Sequence, residues 1–164
     1  MSTPAFRVGL GHDTHRLAPD RALILGGVRI EHDRGLLGHS DADIVLHAIT
    51  DALLGALALG DIGELFPDSD PANKDADSRV FLNKALQVVR DRGWSPVNVD
   101  VTIHAQRPKL ASHKPAIRQS LANLLALPLD AVSVKAKTGE HVGPIGREEA
   151  MSADAVLLVE RNES

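Results

Sequence analysis

The chain contains no cysteine and no tyrosine, and only one tryptophan and three phenylalanines. Without cysteine there are neither disulfides nor thiolate metal sites, so any transition-metal centre must be assembled from histidine and carboxylate. The scarcity of aromatic rings removes the stacking platforms that hold single-stranded nucleic acids. A formal charge of -4 also leaves no basic footprint for a nucleic-acid backbone. Long hydrophobic runs are missing as well: the longest apolar stretch, within residues 41–59, is interrupted by His47 and Asp51. The opening MSTPAFRVGL lacks the basic start and apolar run of a targeting peptide. A cytoplasmic protein with no membrane and no nucleic-acid partner is expected. What is present, 43% hydrophobic and 24% charged residues in 164, fits a single domain over residues 1–164 with an aliphatic core.

The stretch over residues 35–70, GLLGHSDADIVLHAITDALLGALALGDIGELFPDSD, organises the rest. Apolar residues Ile44, Leu46, Ile49, Leu53, Leu57 and Leu59 predict a long helix over residues 41–59, which fixes His47 on a rigid element. Ser40 followed by Asp43 has the pattern of a capping box, with Ser40 as N-cap. The same helix mouth, with His39 beside it, would offer unpaired N–H groups to an anion.

Around that helix, residues 6–10 read as a strand and residues 21–30 as a hairpin turning at Gly26 and Gly27. Residues 60–70 are loop. Residues 78–92 form a helix capped by Ser78 and stopped by Gly93, and residues 112–126 form another, capped by Ser112 with Pro115 in its first turn. Strict alternation over residues 97–105 predicts a strand with one polar face, and residues 131–136 and 153–160 supply two more. The fold class is α/β: a two-layer sandwich in which a mixed sheet carries its helices on one face.

Asp13 and His15, two apart in an extended segment, point the same way. With His47 they make the three-ligand set, drawn from histidine and carboxylate, that catalytic zinc commonly uses while leaving a fourth position open. Asp51, four residues beyond His47, is a candidate to orient its imidazole. Lys135 and residues 137–140, Lys-Thr-Gly-Glu, offer cations, a hydroxyl, exposed N–H groups and a carboxylate to a phosphate and its Mg2+. Asp41, Asp43, His12, His32, His113 and His141 read as caps or surface groups.

Taken together, GLGHDTH from Gly9, LILGGVRI from Leu23, the central stretch from Gly35, ADSRVFL from Ala76, NVDVTIHAQRPKL from Asn98, KAKTGE from Lys135 and GREE from Gly146 resemble the 2-C-methyl-D-erythritol 2,4-cyclodiphosphate synthase family over nearly the whole chain. The resemblance implies a lyase of the non-mevalonate isoprenoid pathway. Such an enzyme converts 4-diphosphocytidyl-2-C-methyl-D-erythritol 2-phosphate to the cyclic diphosphate and releases CMP. It also implies a homotrimer with active sites between subunits. Zn2+, or another divalent transition metal, falls on Asp13, His15 and His47, and a second ion, Mg2+ or Mn2+ on the diphosphate, on Glu140.

The methylerythritol phosphate portion would meet Asp13, His15, His39 and Ser40, then Asp61, Ile62 and Gly63, with Phe66, Pro67, Asp68, Ser69 and Asp70 beyond. Ala105, Gln106, Arg107, Pro108, Lys109, Leu110 and Ala111 would hold the cytidine together with Lys137, Thr138, Gly139 and Glu140. His39 and Thr138 match the positions that stabilise the transition state. Family members often carry phenylalanine where Pro144 stands, near a central cavity for an isoprenoid diphosphate, whose anion contact would be Arg147. If the polar strand faces met at the trimer centre, their polarity would be explained. Two alternatives use the same residues differently: a zinc phosphohydrolase, and a non-enzymatic trimer that binds isoprenoid diphosphates.

Overall fold

The computed structural model describes residues 5–67 and 69–163. Among them run, in order, β1 (Phe6–Pro19), β2 (Leu23–Leu25), β3 (Val28–Ile30), β4 (Arg34–Leu37), α1 (Ile44–Ala56), α2 (Ile62–Leu65), α3 (Ser78–Asp91), β5 (Trp94–His104), α4 (Lys114–Leu125), β6 (Val132–Lys137), α5 (Gly143–Gly146) and β7 (Ala150–Arg161). Five strands form one sheet in the order β4-β1-β7-β5-β6, and β2 pairs with β3 beside it. The sheet is mixed: its pairs are antiparallel except β5 with β6, which are parallel because α4 carries the chain back across.

Alternation decides which face is covered. Val99, Val101 and Ile103 of β5 and Met151, Ala153, Ala155, Leu157 and Val159 of β7 are buried in one core with the aliphatic side chains of α1, α3 and α4. No helix among the described residues covers the opposite face, and Val8 and Leu10 are 66% and 69% exposed on it. Across its central strands β1, β7 and β5 this face becomes polar. There Asp154 accepts from His12 Nδ1 at 2.7 Å and from His104 Nε2 at 2.8 Å.

Helix α1 is apolar nearly all round, as a helix enclosed by protein must be, and it packs on β1, β7 and α3. Its approach to β1 is set by Gly9 and Gly11. A Cβ on Gly9 would lie 1.8 Å from the Ala52 carbonyl oxygen, and one on Gly11 1.9 Å from that of Ala48. The helix backbone therefore rests directly on the strand, and His47 comes over Asp13.

Several element boundaries differ from the sequence expectation. Strand β1 continues to Pro19, because β7 pairs with it as far as Arg16 and β4, an element too short and glycine-rich to be read from sequence, pairs with its last four residues. Helix α1 is shorter than residues 41–59, since Ala42 and Ala58 both take left-handed backbone (φ 57° and 55°). Its N-cap is Asp43, whose carboxylate accepts from the N–H groups of Val45 and Leu46, and Ser40 lies outside the helix.

In the same way Asp77, and not Ser78, caps α3, and α4 begins at Lys114 after a turn, with no side-chain cap from Ser112. The loop over residues 60–70 holds the short helix α2, capped by Asp61. The hairpin is as expected, with Gly26 and Gly27 at φ 61° and 77° in its turn.

Candidate active site

Where β1, still paired with β7, passes under the first turn of α1, three side chains converge. Asp13 Oδ2 lies 2.9 Å from His47 Nδ1 and 3.1 Å from His15 Nε2. An ion bound tetrahedrally by ligands at about 2.0–2.1 Å has edges of about 3.4 Å, so these hydrogen-bonded atoms need to part by only a few tenths of an ångström to take a cation between them. These residues form a group able to hold a metal ion among the described residues.

The far side of each imidazole supports that reading. His15 Nδ1 faces the Leu37 carbonyl oxygen at 2.7 Å, an acceptor, so that nitrogen carries the proton. Ser78 Oγ donates to Asp41 Oδ1, which leaves its lone pairs to accept from His47 Nε2 at 2.8 Å. Both histidines thus turn their other nitrogen toward the Asp13 carboxylate, the side on which each would give its lone pair to a bound cation. Burial works against ionising Asp13, but the hydrogen bonds from His15 and His47 outweigh it and hold the carboxyl far below its ordinary range.

Asp51 does not orient His47. It accepts from the Ile62 N–H at 2.7 Å and so ties α1 to α2. Burial raises its carboxyl above the ordinary value. The orienting group is the Ser78–Asp41 pair, from the start of α3 and the turn before α1. Asp41 was expected only as a cap or surface acid, because a serine thirty-seven positions away cannot be paired with it by local spacing.

The expected anion mouth at α1 is also filled. The Asp43 carboxylate takes the N–H groups of Val45 and Leu46 together with those of Gly26 and Gly27, locking the hairpin turn to the helix. Complete burial pushes this carboxyl up to about 6 against those donors. Ser40 Oγ meanwhile accepts from the Ala42 N–H at 3.2 Å and lies 3.2 Å from His47 Nε2.

A hollow of about 270 Å³ opens on the three ligands. Of the expected substrate residues, His39, Ser40, Ile62, Gly63 and Phe66 line it, and Asn73 and Phe81 join them. Phe81 reads from sequence as helix core, and its ring does pack on Phe66, at 4.6 Å between centroids. Asp61 and Asp70 cap short helical turns, and the Pro67 carbonyl accepts from Asn73; Asp68 lies outside the described residues. Ser69 stands in the turn that follows it.

A second hollow, of about 170 Å³, is lined by Ala105, Pro108, Lys109, Leu110, Ala111, Lys137 and Thr138, with Lys114 and Ala136. The exposed Arg107 stands apart from both hollows, and so does Glu140, whose carboxylate accepts from Thr138 Oγ1 at 3.1 Å. Gln106 turns inward toward Gly139 and His141. Pro144 lies in α5, and Arg147 pairs with Glu149 at 2.8 Å. Those of the expected site residues that line a hollow thus fall into two groups on one chain. A larger hollow of about 610 Å³ beside the hairpin, among Asp20, Arg29 and His32, brings none of these candidates together.

Comparison with known proteins agrees with this geometry. The YgbB family model matches residues 6–160. The chain is 60% identical over 156 residues to the 2-C-methyl-D-erythritol 2,4-cyclodiphosphate synthase of Dechloromonas aromatica, covering 95% of this chain and 98% of that one. The bifunctional IspDF of Campylobacter jejuni superposes with a TM-score of 0.92 at 40% identity, over 96% of this chain. This chain spans 43% of that longer protein. The IspF–CDP complex of Plasmodium falciparum superposes at 0.86 and 34% identity, over 99% of this chain and all of that one. No helix among the described residues is long and apolar enough to cross a membrane. With the ligand triad, the mixed sheet and this identity over nearly its full length, the chain belongs to the YgbB family, as a 2-C-methyl-D-erythritol 2,4-cyclodiphosphate synthase of isoprenoid biosynthesis.

Proposed function

We propose that the chain closes 4-diphosphocytidyl-2-C-methyl-D-erythritol 2-phosphate on itself, in active sites assembled between the copies of a homotrimer. The observation that carries this reading is the division of the candidate residues into two hollows. Asp13, His15, His39 and His47 line one, and Thr138 with Ala105 and residues 108–111 lines the other. A diphosphate joining a sugar phosphate to a cytidine needs both, and apposed copies bring one of each together. The CDP complex of the Plasmodium falciparum relative supports a cytidine diphosphate ligand.

In the reaction an oxygen of the 2-phosphate attacks the β-phosphorus. A new P–O bond forms as the bond from that phosphorus to the bridging oxygen breaks, and CMP departs with the electron pair. No covalent intermediate with the protein is needed, so the chain's task is to fold a flexible substrate into line and to neutralise charge. Asp13, His15 and His47 would hold Zn2+ or another divalent transition metal, and Glu140 would hold Mg2+ or Mn2+ on the diphosphate. When bound, these ions polarise phosphoryl oxygens and reduce the repulsion between the two phosphates.

His39, at the rim of the metal hollow, donates to the attacking phosphate. Thr138, whose hydroxyl contacts the Glu140 carboxylate, would donate to the diphosphate beside it. Phe66 and Phe81 form the apolar wall that excludes water, which would otherwise compete as nucleophile. The enzyme is read as a single domain over residues 1–164.

Phosphorus NMR of the protein with this substrate and Mg2+, beside a His47→Ala variant, tests the reading. Cyclic diphosphate and CMP, lost in the variant, are expected. Inorganic phosphate with an open-chain product would instead make it a zinc phosphohydrolase, and tight binding without turnover a binding protein.

A further inference from the structure

The loop over residues 138–142 has an unusual backbone. Glu140 and His141 are consecutive non-glycine residues in left-handed conformation, at φ 49° and 60°. Side chains on L-residues crowd their own carbonyls there, so such a pair persists only where its surroundings hold it. The loop also lies hard against α5: a Cβ on Gly139 would fall 2.4 Å from the Gly146 nitrogen.

One side chain from another element reaches into the loop. Gln106, two residues past β5 and 8% exposed, places its carboxamide oxygen 3.2 Å from the Gly139 nitrogen and 3.4 Å from the His141 nitrogen, accepting from both N–H groups. Its amide nitrogen stands 3.4 Å from His141 Nε2. The two N–H groups so engaged flank Glu140. Beside them the backbone of the two segments is already joined, since the Ala105 N–H donates to the Lys137 carbonyl at 2.9 Å. Gln106 is therefore the buried pin between the segment that lines the second hollow and the loop that carries Thr138 and Glu140.

We propose that Gln106 is a positioning residue: through Gly139 and His141 it holds the left-handed loop that presents Thr138 and Glu140 to the diphosphate, and it does not read the cytidine itself. The inference rests on the assignment of Thr138 and Glu140 to the diphosphate made above. Its chemical core is the acceptor oxygen. A glutamate at position 106 keeps an oxygen for both N–H groups, whereas a leucine of similar volume offers none.

The test compares wild type, Gln106→Leu and Gln106→Glu as full-length proteins. Amide hydrogen exchange at Gly139 and His141 is expected to accelerate at least tenfold in Gln106→Leu and to stay near wild type in Gln106→Glu. Turnover is expected to fall ten- to a hundredfold in Gln106→Leu, with a higher Mg2+ concentration at half-maximal rate. CDP binding measured by calorimetry stays within about threefold, and the metal content at Asp13, His15 and His47 is unchanged. Gln106→Glu recovers most of the rate.

A purely structural role would lower the melting temperature of Gln106→Leu while leaving the Mg2+ dependence alone, and that result overturns the proposal. Loss of CDP binding in step with turnover also overturns it, because it makes Gln106 a nucleotide contact. Equal defects in both variants overturn it by showing that the acceptor oxygen is not what matters. If wild type itself produced no cyclic diphosphate, the reading of the reaction would fail. The exchange comparison would still decide whether Gln106 holds the loop.

Discussion

Ser78 stands between His47 and Asp41: its hydroxyl donates to the Asp41 carboxylate and receives the His47 Nε2–H at 2.8 Å, while its own N–H donates to Asp41 at 3.1 Å. The start of α3 thereby sets the tautomer of a ligand on α1. Partners of this kind commonly govern metal affinity by about 10–100-fold. Ser78→Ala is expected to weaken metal binding by that factor, read as metal retained against a graded chelator, and Ser78→Thr to restore most of it. Asp51→Asn, which disturbs only the link to Ile62, leaves retention unchanged. Equal retention in Ser78→Ala and wild type would show that Ser40, 3.2 Å from the same nitrogen, orients His47 without Ser78.

The contact between Gly11 and α1 makes a second prediction. A methyl group at that position has no room, because the Ala48 carbonyl would lie 1.9 Å from it and belongs to backbone that cannot rotate aside. Gly11→Ala must lift α1 from β1, at a cost of about 2–3 kcal/mol or more by comparison with other overpacked cores. It also carries His47 away from Asp13. Urea unfolding should show the loss of stability, and the metal content of the folded protein should fall with it. A stable variant that retains its metal would mean that the strand bends to accommodate the methyl group.

How far the sequence discloses this centre can be judged from the same residues. Asp13, His15 and His47 are legible because extended backbone puts i and i+2 on one side and helical periodicity places His47 on a rigid element. The Ser78–Asp41 pair is not, since it joins segments distant in sequence and each residue has an ordinary local explanation as a cap. Ser40 and Asp43 are both good capping residues, and the choice between them turns on Ala42 at φ 57°, which no residue preference announces. Strand β4 escapes for a related reason: four residues including a glycine carry too little alternation, and only pairing with β1 makes them a strand. The division of the substrate residues into two hollows is likewise a property of topology, because residues 105–111 follow β5 and residues 137–138 end β6, two and three strands across the sheet from the ligands on β1.

Asp43 is expected to be the most sensitive acid for folding. Its carboxylate takes four backbone N–H groups, two from the hairpin turn and two from the first turn of α1. Removing it leaves buried donors without an acceptor on two elements at once. A lost N-cap costs about 1 kcal/mol and each stranded buried group about 1–3 kcal/mol, so Asp43→Ala should lose about 3–5 kcal/mol. Chemical denaturation measures this directly. A loss below about 1 kcal/mol would mean that water reaches the hairpin turn and replaces the carboxylate.

On the face of the sheet opposite the helices, Asp154 supplies a prediction with a sign in pH. Burial opposes its ionisation, but the hydrogen bonds from His12 and His104 outweigh that and hold its carboxyl below the ordinary value of 3.8. Of the neighbouring charges on that face, Lys135 is engaged by Asp100 at 2.7 Å and does not compete for it. A carboxyl whose pKa is lower folded than unfolded contributes stability that is present above the unfolded value. The contribution is lost as pH falls through the folded value, because the unfolded chain takes up its proton first. Asp154→Asn should therefore be less stable than wild type near pH 7, by a modest amount since the side chains are 42% and 58% exposed at the His12 contact. The difference should close as pH falls from about 4 toward 2. Urea midpoints of the two proteins at fixed concentration across that range measure it. A gap that stays constant at acid pH would assign the contribution to the shape and hydrogen bonding of the side chain, which Asn shares in part, and not to its charge.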